Sequence, residues 1–587
     1  MVYFIYKIKR RENTYIMKFK FMHYLKRYKW QTIFGPVLKF LEAVTDLVTP
    51  FLVALILDKG IPAGDTNYII WLSVAIIVMN GAGFAFAIIC QKLSAKAAFG
   101  VGRDLRRDLY SKITTLSSKE MDMYTTMSLT NRAVNDVSQI QNAIGTTIRN
   151  VARAPFLLVG STIMAILINL KLSLIFLVVI PLILLLFFFI MKKTNPLFTS
   201  AKQNLDNVSN VTRENLSGNR VVRAFNKQQY EIERFDKANE KYTKVNLKIG
   251  TYSSLLQPIL ALIVNMAVIV VVWVGGIQVN IGGLTQGQII SFISYLTQIS
   301  GSLIKIARIS IIYVRTGASV RRVNEIFALE PTVVSKDNAP KLLKQIQPQI
   351  EFKNVSFSYN GIKNAIKDFS IQIMPGETVG VIGGTGSGKS TLVNLLPRFY
   401  DVSKGEILID GKNIEDYDIK SLREFVSIVP QNPTLFSGTI ESNLKFRNPD
   451  ATPEELTKAL IVSQSYGFVN EKPNGIKSNV ERGGRNFSGG QRQRLTIARA
   501  IVGEPKILIL DDSSSALDFQ TDFELRKALK NTLKSTTKIY VSQRTNSIKS
   551  ADKIIVLNNG SVVGIGKHEE LLKTCEVYKE IYDSQNK

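Results

Sequence analysis

Residues 383–390 read GGTGSGKS, a glycine, four residues, a second glycine, then lysine and serine. This spacing suits a loop that wraps phosphate oxygens. With Gly383, Gly384, Gly386 and Gly388 around Thr385 and Ser387, backbone N–H groups can turn inward onto an anion. A helix expected to begin near Thr391 adds the positive end of its dipole. Lys389 is placed to reach the outer phosphates of a nucleoside triphosphate, and Ser390 to ligate Mg²⁺. Far downstream, residues 507–518 read ILILDDSSSALD, an apolar strand that runs into Asp511 and Asp512. A carboxylate closing such a strand beside a phosphate loop can hold Mg²⁺ through water, which is the role expected of Asp511. Together these residues point to metal-assisted phosphoryl chemistry.

An α/β framework must position them. From about residue 348 to 587, short β-branched strands such as IEFKNVSFSY, ETVGVIGG and KILILDD alternate with helical stretches. Before them, 326–347 is polar, contains Pro331 and Pro340, and reads as a linker. Residues 1–325 read differently. Six apolar stretches, near 32–57, 68–91, 146–169, 172–191, 253–274 and 286–312, each reach the ~20 residues that cross a bilayer. LSLIFLVVIPLILLLFFFIM has no polar face, which excludes an amphipathic surface helix. The expected fold is thus a membrane all-α domain of six transmembrane helices followed by an α/β P-loop nucleotide-binding domain.

The net charge of +27 alone would suggest a nucleic-acid partner. The basic residues instead lie between the apolar stretches, at 1–30, 92–136 and 192–250, while 58–67, 170–171 and 275–285 hold only Lys59 and Lys171. By the positive-inside rule the N-terminus, both long loops and the nucleotide-binding domain are cytoplasmic, the charge facing membrane lipids rather than nucleic acid. Tyr24–Ile33 reads as an interfacial helix. Residues 1–16 resemble no cleavable signal, and Met17 and Met22 are alternative starts. Cys90 and Cys575 indicate no disulfide framework, and with only His23 and His568 a histidine metal site is not expected.

The order of motifs after residue 348 resembles the nucleotide-binding domain of ABC transporters, with its helical subdomain. NFSGGQRQR, residues 486–494, is similar to the family signature, with Ser488, Gly489, Gly490 and Gln491 as its core. SALD, residues 515–518, matches the D-loop. The resemblance implies ATP and Mg²⁺ as cofactors. It implies that Tyr359 stacks on adenine and that Gln431, in VPQNPTLF, senses Mg²⁺ and the membrane domain. Glu481 matches a loop that touches that domain, and residues 214–235 resemble the second coupling loop of six-span exporters.

Two positions depart from the family pattern. The residue after Asp511 is ordinarily Glu, the general base; here it is Asp512, one methylene shorter. The switch residue is ordinarily His; here it is Gln543, which donates a hydrogen bond but carries no imidazolium charge. ABC sites form between the phosphate loop of one domain and the signature of another. A degenerate base and switch with an intact signature imply a heterodimer whose partner is a second half-transporter with Glu and His. The combination resembles bacterial multidrug exporters of the cytoplasmic membrane, carrying amphiphilic small molecules. A lipid flippase, or a nucleotide-gated channel or regulatory membrane protein, are the alternatives. In the first span Glu42 and Asp46 share a helix face ahead of Pro50, where they can attract cations or fix helix packing.

Overall fold

A computed structural model describes residues 23–342 and 348–585. Residues 1–22, with the early basic cluster and the alternative starts, lie outside them, as do linker residues 343–347. Internal packing divides the chain into two units, Met1–Ile113 with Thr126–Ala328, and Thr114–Thr125 with Leu329–Lys587.

The first unit is helical. Among the described residues six helices are long and apolar enough to cross a membrane: Lys29–Ala63, Thr66–Thr115, Thr126–Ile168, Leu170–Ala224, Gln228–Asn280 and Gln286–Ala307. Their principal segments are α1 (Lys29–Leu55), α2 (Thr66–Thr115), α3 (Arg153–Ile168), α4 (Ile175–Ala224), α5 (Leu256–Asn280) and α6 (Gln286–Ala328). At 1.5 Å per residue, a helix the length of α2 or α4 runs ~75 Å, more than twice the ~30 Å hydrocarbon core. The basic stretches read as loops are therefore largely helical extensions of the spans. The interfacial stretch is helical at 23–27 and turns at Tyr28 before α1 begins. Its Tyr24 is buried and donates to Asp108 at 3.0 Å.

Packing inside this unit follows helical periodicity. Phe292, Tyr295, Leu296, Ile299 and Leu303 make one buried stripe on α6, meeting Phe176, Val179 and Ile183 of α4 and Leu260, Ala267 and Val271 of α5. Phe176 and Phe292 stack with centroids 5.1 Å apart. Pro50 lies inside α1 and cannot donate to the carbonyl of Asp46. Gln298 Nε2 donates to that carbonyl at 3.1 Å, and Ser291 Oγ to the carbonyl of Pro50 at 2.6 Å. In an apolar surrounding, backbone groups released by proline need such partners.

The second unit holds two main sheets. One has the order β2-β1-β4-β5, from β1 (Ile350–Phe357), β2 (Ile366–Ile373), β4 (Lys404–Ile409) and β5 (Lys412–Asn413). The other has the order β12-β11-β3-β10-β9-β6. Its strands are β3 (Thr378–Gly383), β6 (Val426–Val429), β9 (Ile507–Asp511), β10 (Thr537–Val541), β11 (Lys553–Asn558) and β12 (Ser561–Gly566). A small ladder joins β7 (Gly438–Thr439) to β8 (Asn479–Val480). Every residue of β9 is buried, as expected of an interior parallel strand. A helical group around Gly489–Ile501 packs on its own cluster, including Leu444, Leu456, Leu460, Val469 and Leu495.

Residues 114–125 pack with this unit although they sit between apolar segments in sequence. Ser117 Oγ accepts from Val333 N–H at 3.0 Å, and Tyr400 donates to Asp122 at 2.6 Å. Nothing in the local pattern of 92–136 separates these residues from their neighbours; the assignment comes from long-range partners.

Candidate functional site

Strand register assembles the site. Val541 of β10 pairs in parallel with both Val381 of β3 and Asp511 of β9, and Val429 of β6 pairs with Leu510. The chain therefore leaves four neighbouring strands along one carboxyl edge, where open α/β sheets bind ligands. The phosphate loop follows β3, Asp512 follows β9, Gln543 follows β10 and Gln431 follows β6. A cavity of about 370 Å³ at this edge is lined by Tyr359, Thr385 to Thr391, Gln431, Asp511, Asp512 and Gln543. Ala365 and Val541 also line it, two residues with no chemical signal in the sequence.

The phosphate loop is closed by backbone geometry. Gly388 has φ +100°, and a Cβ there would meet the Ala365 carbonyl oxygen at 2.5 Å, so only glycine fits. The helix α7 (Lys389–Leu395) starts directly after it, two residues earlier than expected. Gly383 and Gly384 do not line the cavity; their carbonyls each accept from Lys389 Nζ at 2.8 Å. Lys389 is only 8% exposed, and burial holds its ammonium below the usual lysine range, against the pull of Asp512 and Asp511.

Ser390 Oγ donates to Asp511 Oδ1 at 3.0 Å. Burial pushes the Asp511 carboxyl above the usual range, with the neighbouring Asp512 charge adding to it and the Ser390 hydrogen bond opposing it. A buried lysine short of anions and a buried carboxylate short of cations are complementary to a triphosphate with Mg²⁺. The hydroxyl–carboxylate pair is an oxygen donor set of the kind Mg²⁺ takes. The residues present fit that group.

Asp512 sits differently. Its φ is +46°, a left-handed conformation that Asp tolerates better than most residues, and its N–H donates to Val541 O at 2.9 Å. Its carboxylate meets Gln431 Nε2 only at a long 3.4 Å. Gln543 is exposed, and its side chain makes no hydrogen bond among the described residues. Tyr359 is about half exposed, set edge-on to Phe357 and Tyr400, with its hydroxyl 3.1 Å from Thr391 Oγ1.

The signature residues do not line this cavity. Ser488 caps α8 (Gly489–Ile501): its Oγ accepts from Gln491 N–H at 3.2 Å, and Gln491 Oε1 accepts from Ser488 N–H at 3.0 Å. Ser488 and Gly489 are exposed, Gly490 partly so, and a Cβ on Gly490 would lie 3.1 Å from the Ala516 carbonyl of the D-loop segment. Asp518 caps the next helix, α9 (Phe519–Thr532), and Glu481 is exposed.

Glu42 and Asp46 belong to the first unit. Glu42 is 7% exposed and pairs with Lys39 at 2.5 Å and with Arg153 of α3 at 3.3 Å. Asp46 pairs with the same Arg153 at 2.6 Å. Neither carboxylate is a bare charge, and Arg153, more than a hundred positions away, was not singled out in the sequence.

Comparison with known proteins gives a consistent placement. Residues 32–303 match the family model of the ABC transporter transmembrane region, and residues 366–515 match that of the ABC transporter. An uncharacterized ABC transporter ATP-binding protein of Mycobacterium bovis is 34% identical over 94% of this chain and 95% of its own length. An ATP-dependent lipid A-core flippase of Desulfotalea psychrophila is 32% identical, covering 91% and 93% respectively. A Bacillus subtilis protein whose name includes the words multidrug export ATP-binding/permease protein is 31% identical over 97% and 99%. The solved structure of a bacterial Atm1-family ABC exporter with ATP bound superposes with a TM-score of 0.81 at 24% identity, covering 96% of this chain and all of that one. The chain belongs to the ABC transporters, as an exporter whose six-helix transmembrane domain is fused to an ABC ATPase domain.

Proposed function

We propose that this chain is one subunit of a heterodimeric ABC exporter that moves amphiphilic compounds across the cytoplasmic membrane, its nucleotide-binding domain on the cytoplasmic side. Its own phosphate loop builds an ATP site that binds well and hydrolyses poorly. Its signature, Ser488 to Gln491, completes the site of a partner that has Glu and His. The observation that carries this reading is the position of the two substitutions. Asp512 and Gln543 line the same cavity as Lys389 and Ser390, so both altered groups act at one site.

The chemistry follows from the residues. Bound ATP supplies the phosphate bond, and Mg²⁺ supplies charge neutralisation. Lys389 and the loop N–H groups would hold the phosphates, Ser390, Asp511 and Gln431 would hold the metal, and Tyr359 would offer an aromatic face to the base; all line the cavity. A base must stand within about 2.6–3.2 Å of the proton it takes. Shortening Glu to Asp withdraws the carboxylate by roughly 1 Å, a displacement that can cost on the order of 10²-fold. Purified alone, the chain should show little Mg²⁺-dependent ATP turnover, and co-purified with the partner half-transporter it should turn over readily. Brisk turnover by the chain alone overturns the proposal.

A lipid substrate is the second reading, since a flippase is among the relatives, and the paired acids weaken the case for a cation site. Lys39 and Arg153 already neutralise Glu42 and Asp46, so these acids offer less to a cationic drug than their sequence suggests. Replacing them with Gln and Asn separates the roles. Selective loss of cationic dye transport marks them as a cation site; equal loss of cationic and neutral dyes marks them as packing for α1 against α3.

A further inference from the structure

The residues after β10 are held from outside the nucleotide cavity. Ser542 N–H donates to Val381 O at 3.0 Å, and Ser542 Oγ accepts from Arg544 N–H at 2.9 Å. Beyond it, two side chains clasp the backbone. Arg526 of α9, paired with Asp522 at 3.0 Å, donates to Asn546 O at 2.9 Å. Gln585, the last residue of α10 (Glu576–Gln585), supplies the rest. Its Nε2 donates to Gln543 O at 2.6 Å. Its Oε1 accepts from Thr545 N–H at 2.8 Å and from Thr545 Oγ1 at 3.0 Å. One amide thus uses its donor and its acceptor on both sides of Arg544.

The clasp has a rigid base. Tyr578 of α10 is fully buried with its hydroxyl 2.7 Å from His568 Nδ1. Tyr578, Cys575 and Leu571 pack against Ile548, Ile554 and Ile382, and Ile382 directly precedes the phosphate loop. Gln585 therefore reaches the loop from an element anchored on the same sheet that presents Lys389. The Gln543 side chain, by contrast, has no hydrogen bond of its own among the described residues and lines the cavity. What fixes its direction is its backbone, and that is what Gln585 holds.

We propose that Gln585 is a positioning residue that aims Gln543 at the terminal phosphate, making the C-terminal helix part of the device that tells ATP from ADP. This rests on the reading of the cavity as the ATP site. Only the γ-phosphate distinguishes the two nucleotides, so a loosened Gln543 loses ATP affinity and leaves ADP affinity alone. A helix anchor with no role in aiming would, when lost, weaken both nucleotides together or neither.

The test uses the full-length chain in lipid nanodiscs, with Mg²⁺, measuring ATP and ADP affinities by displacement of a fluorescent ATP analogue. Gln585→Ala should lower ATP affinity roughly three- to tenfold, the net size of one ordinary hydrogen bond, with ADP affinity within about twofold. Gln543→Ala should do the same, and the double variant should be no worse than Gln543→Ala alone. Gln585→Glu keeps the acceptor for Thr545 but loses the donor to Gln543 O, so it should lie between wild type and Gln585→Ala and serves if the alanine variant does not fold. Parallel loss of ATP and ADP affinity in the Gln585 variants, or no loss while Gln543→Ala loses ATP alone, overturns the proposal. If Lys389→Ala leaves binding of both nucleotides unchanged in the wild-type background, the ATP-site reading has failed, and the role of Gln585 falls with it.

Discussion

Lys389, Ser390 and Asp511 line the cavity, each buried or bonded: two carbonyls hold the lysine and a 3.0 Å hydrogen bond joins the serine to the aspartate. In the same cavity Asp512 is met only at 3.4 Å by Gln431, and Gln543 stands exposed. The first group would bind a metal-triphosphate; the second would act on water. Their difference teaches that binding and hydrolysis are built from separable parts. A site can keep the buried, strongly constrained part while the water-facing part changes, because Asp512 is only partly buried and Gln543 is exposed and uncharged.

The largest test of this division compares two variants in the proposed heterodimer, each with a wild-type partner. Ser488→Arg puts a bulky cation where the exposed signature would meet the partner's γ-phosphate. Removing such a transition-state donor costs about 10²–10³ in rate, so ATPase and transport should nearly vanish. Lys389→Ala strips a phosphate contact from the site proposed to hydrolyse weakly and should slow the cycle less severely. If Lys389→Ala proves the more damaging in turnover assays, hydrolysis runs on this chain's own phosphate loop.

A gain of function sharpens the same contrast. Asp512→Glu with Gln543→His restores reach and charge to the water-facing part. Turnover at this chain's site should rise by roughly ten- to a hundredfold, limited by the left-handed backbone at position 512. Single-turnover hydrolysis by the proposed heterodimer, with the partner's own base inactivated, measures it, and an unchanged rate would place the defect elsewhere.

The smallest expected effect is on stability. Because burial holds the Asp511 carboxyl above its ordinary value, the folded state keeps a proton that the unfolded chain releases. Stability without nucleotide therefore falls as pH rises from about 3.9, the usual carboxylate value, toward the raised value. Asp511→Asn cannot titrate, so its unfolding midpoint should gain on wild type as pH rises across that window. Thermal unfolding of nucleotide-free protein at a series of pH values tests this, and parallel curves refute it.

Much of the molecule was legible along the chain. The spans were visible because a bilayer demands ~20 apolar residues in a row. The nucleotide-binding domain was visible because phosphate binding demands glycine, lysine and serine at fixed spacing. The start of α7 was misplaced by two residues, since Gly388 caps the helix by its backbone alone.

By itself, then, the sequence determined the two kinds of domain, the glycine-rich spacing of 383–390, and the departures at Asp512 and Gln543. These are local facts, set by residue type and by periods of two, three or four positions. Only the tertiary structure decided that residues 114–125 pack with the nucleotide-binding unit, that Arg153 neutralises Glu42 and Asp46, and that Gln585 clasps the loop of Gln543. Each of these joins positions tens to hundreds of residues apart. Polar side chains of this kind carry no periodic signal, and their partners are chosen by strand register and helix packing, which bring distant groups within hydrogen-bonding distance.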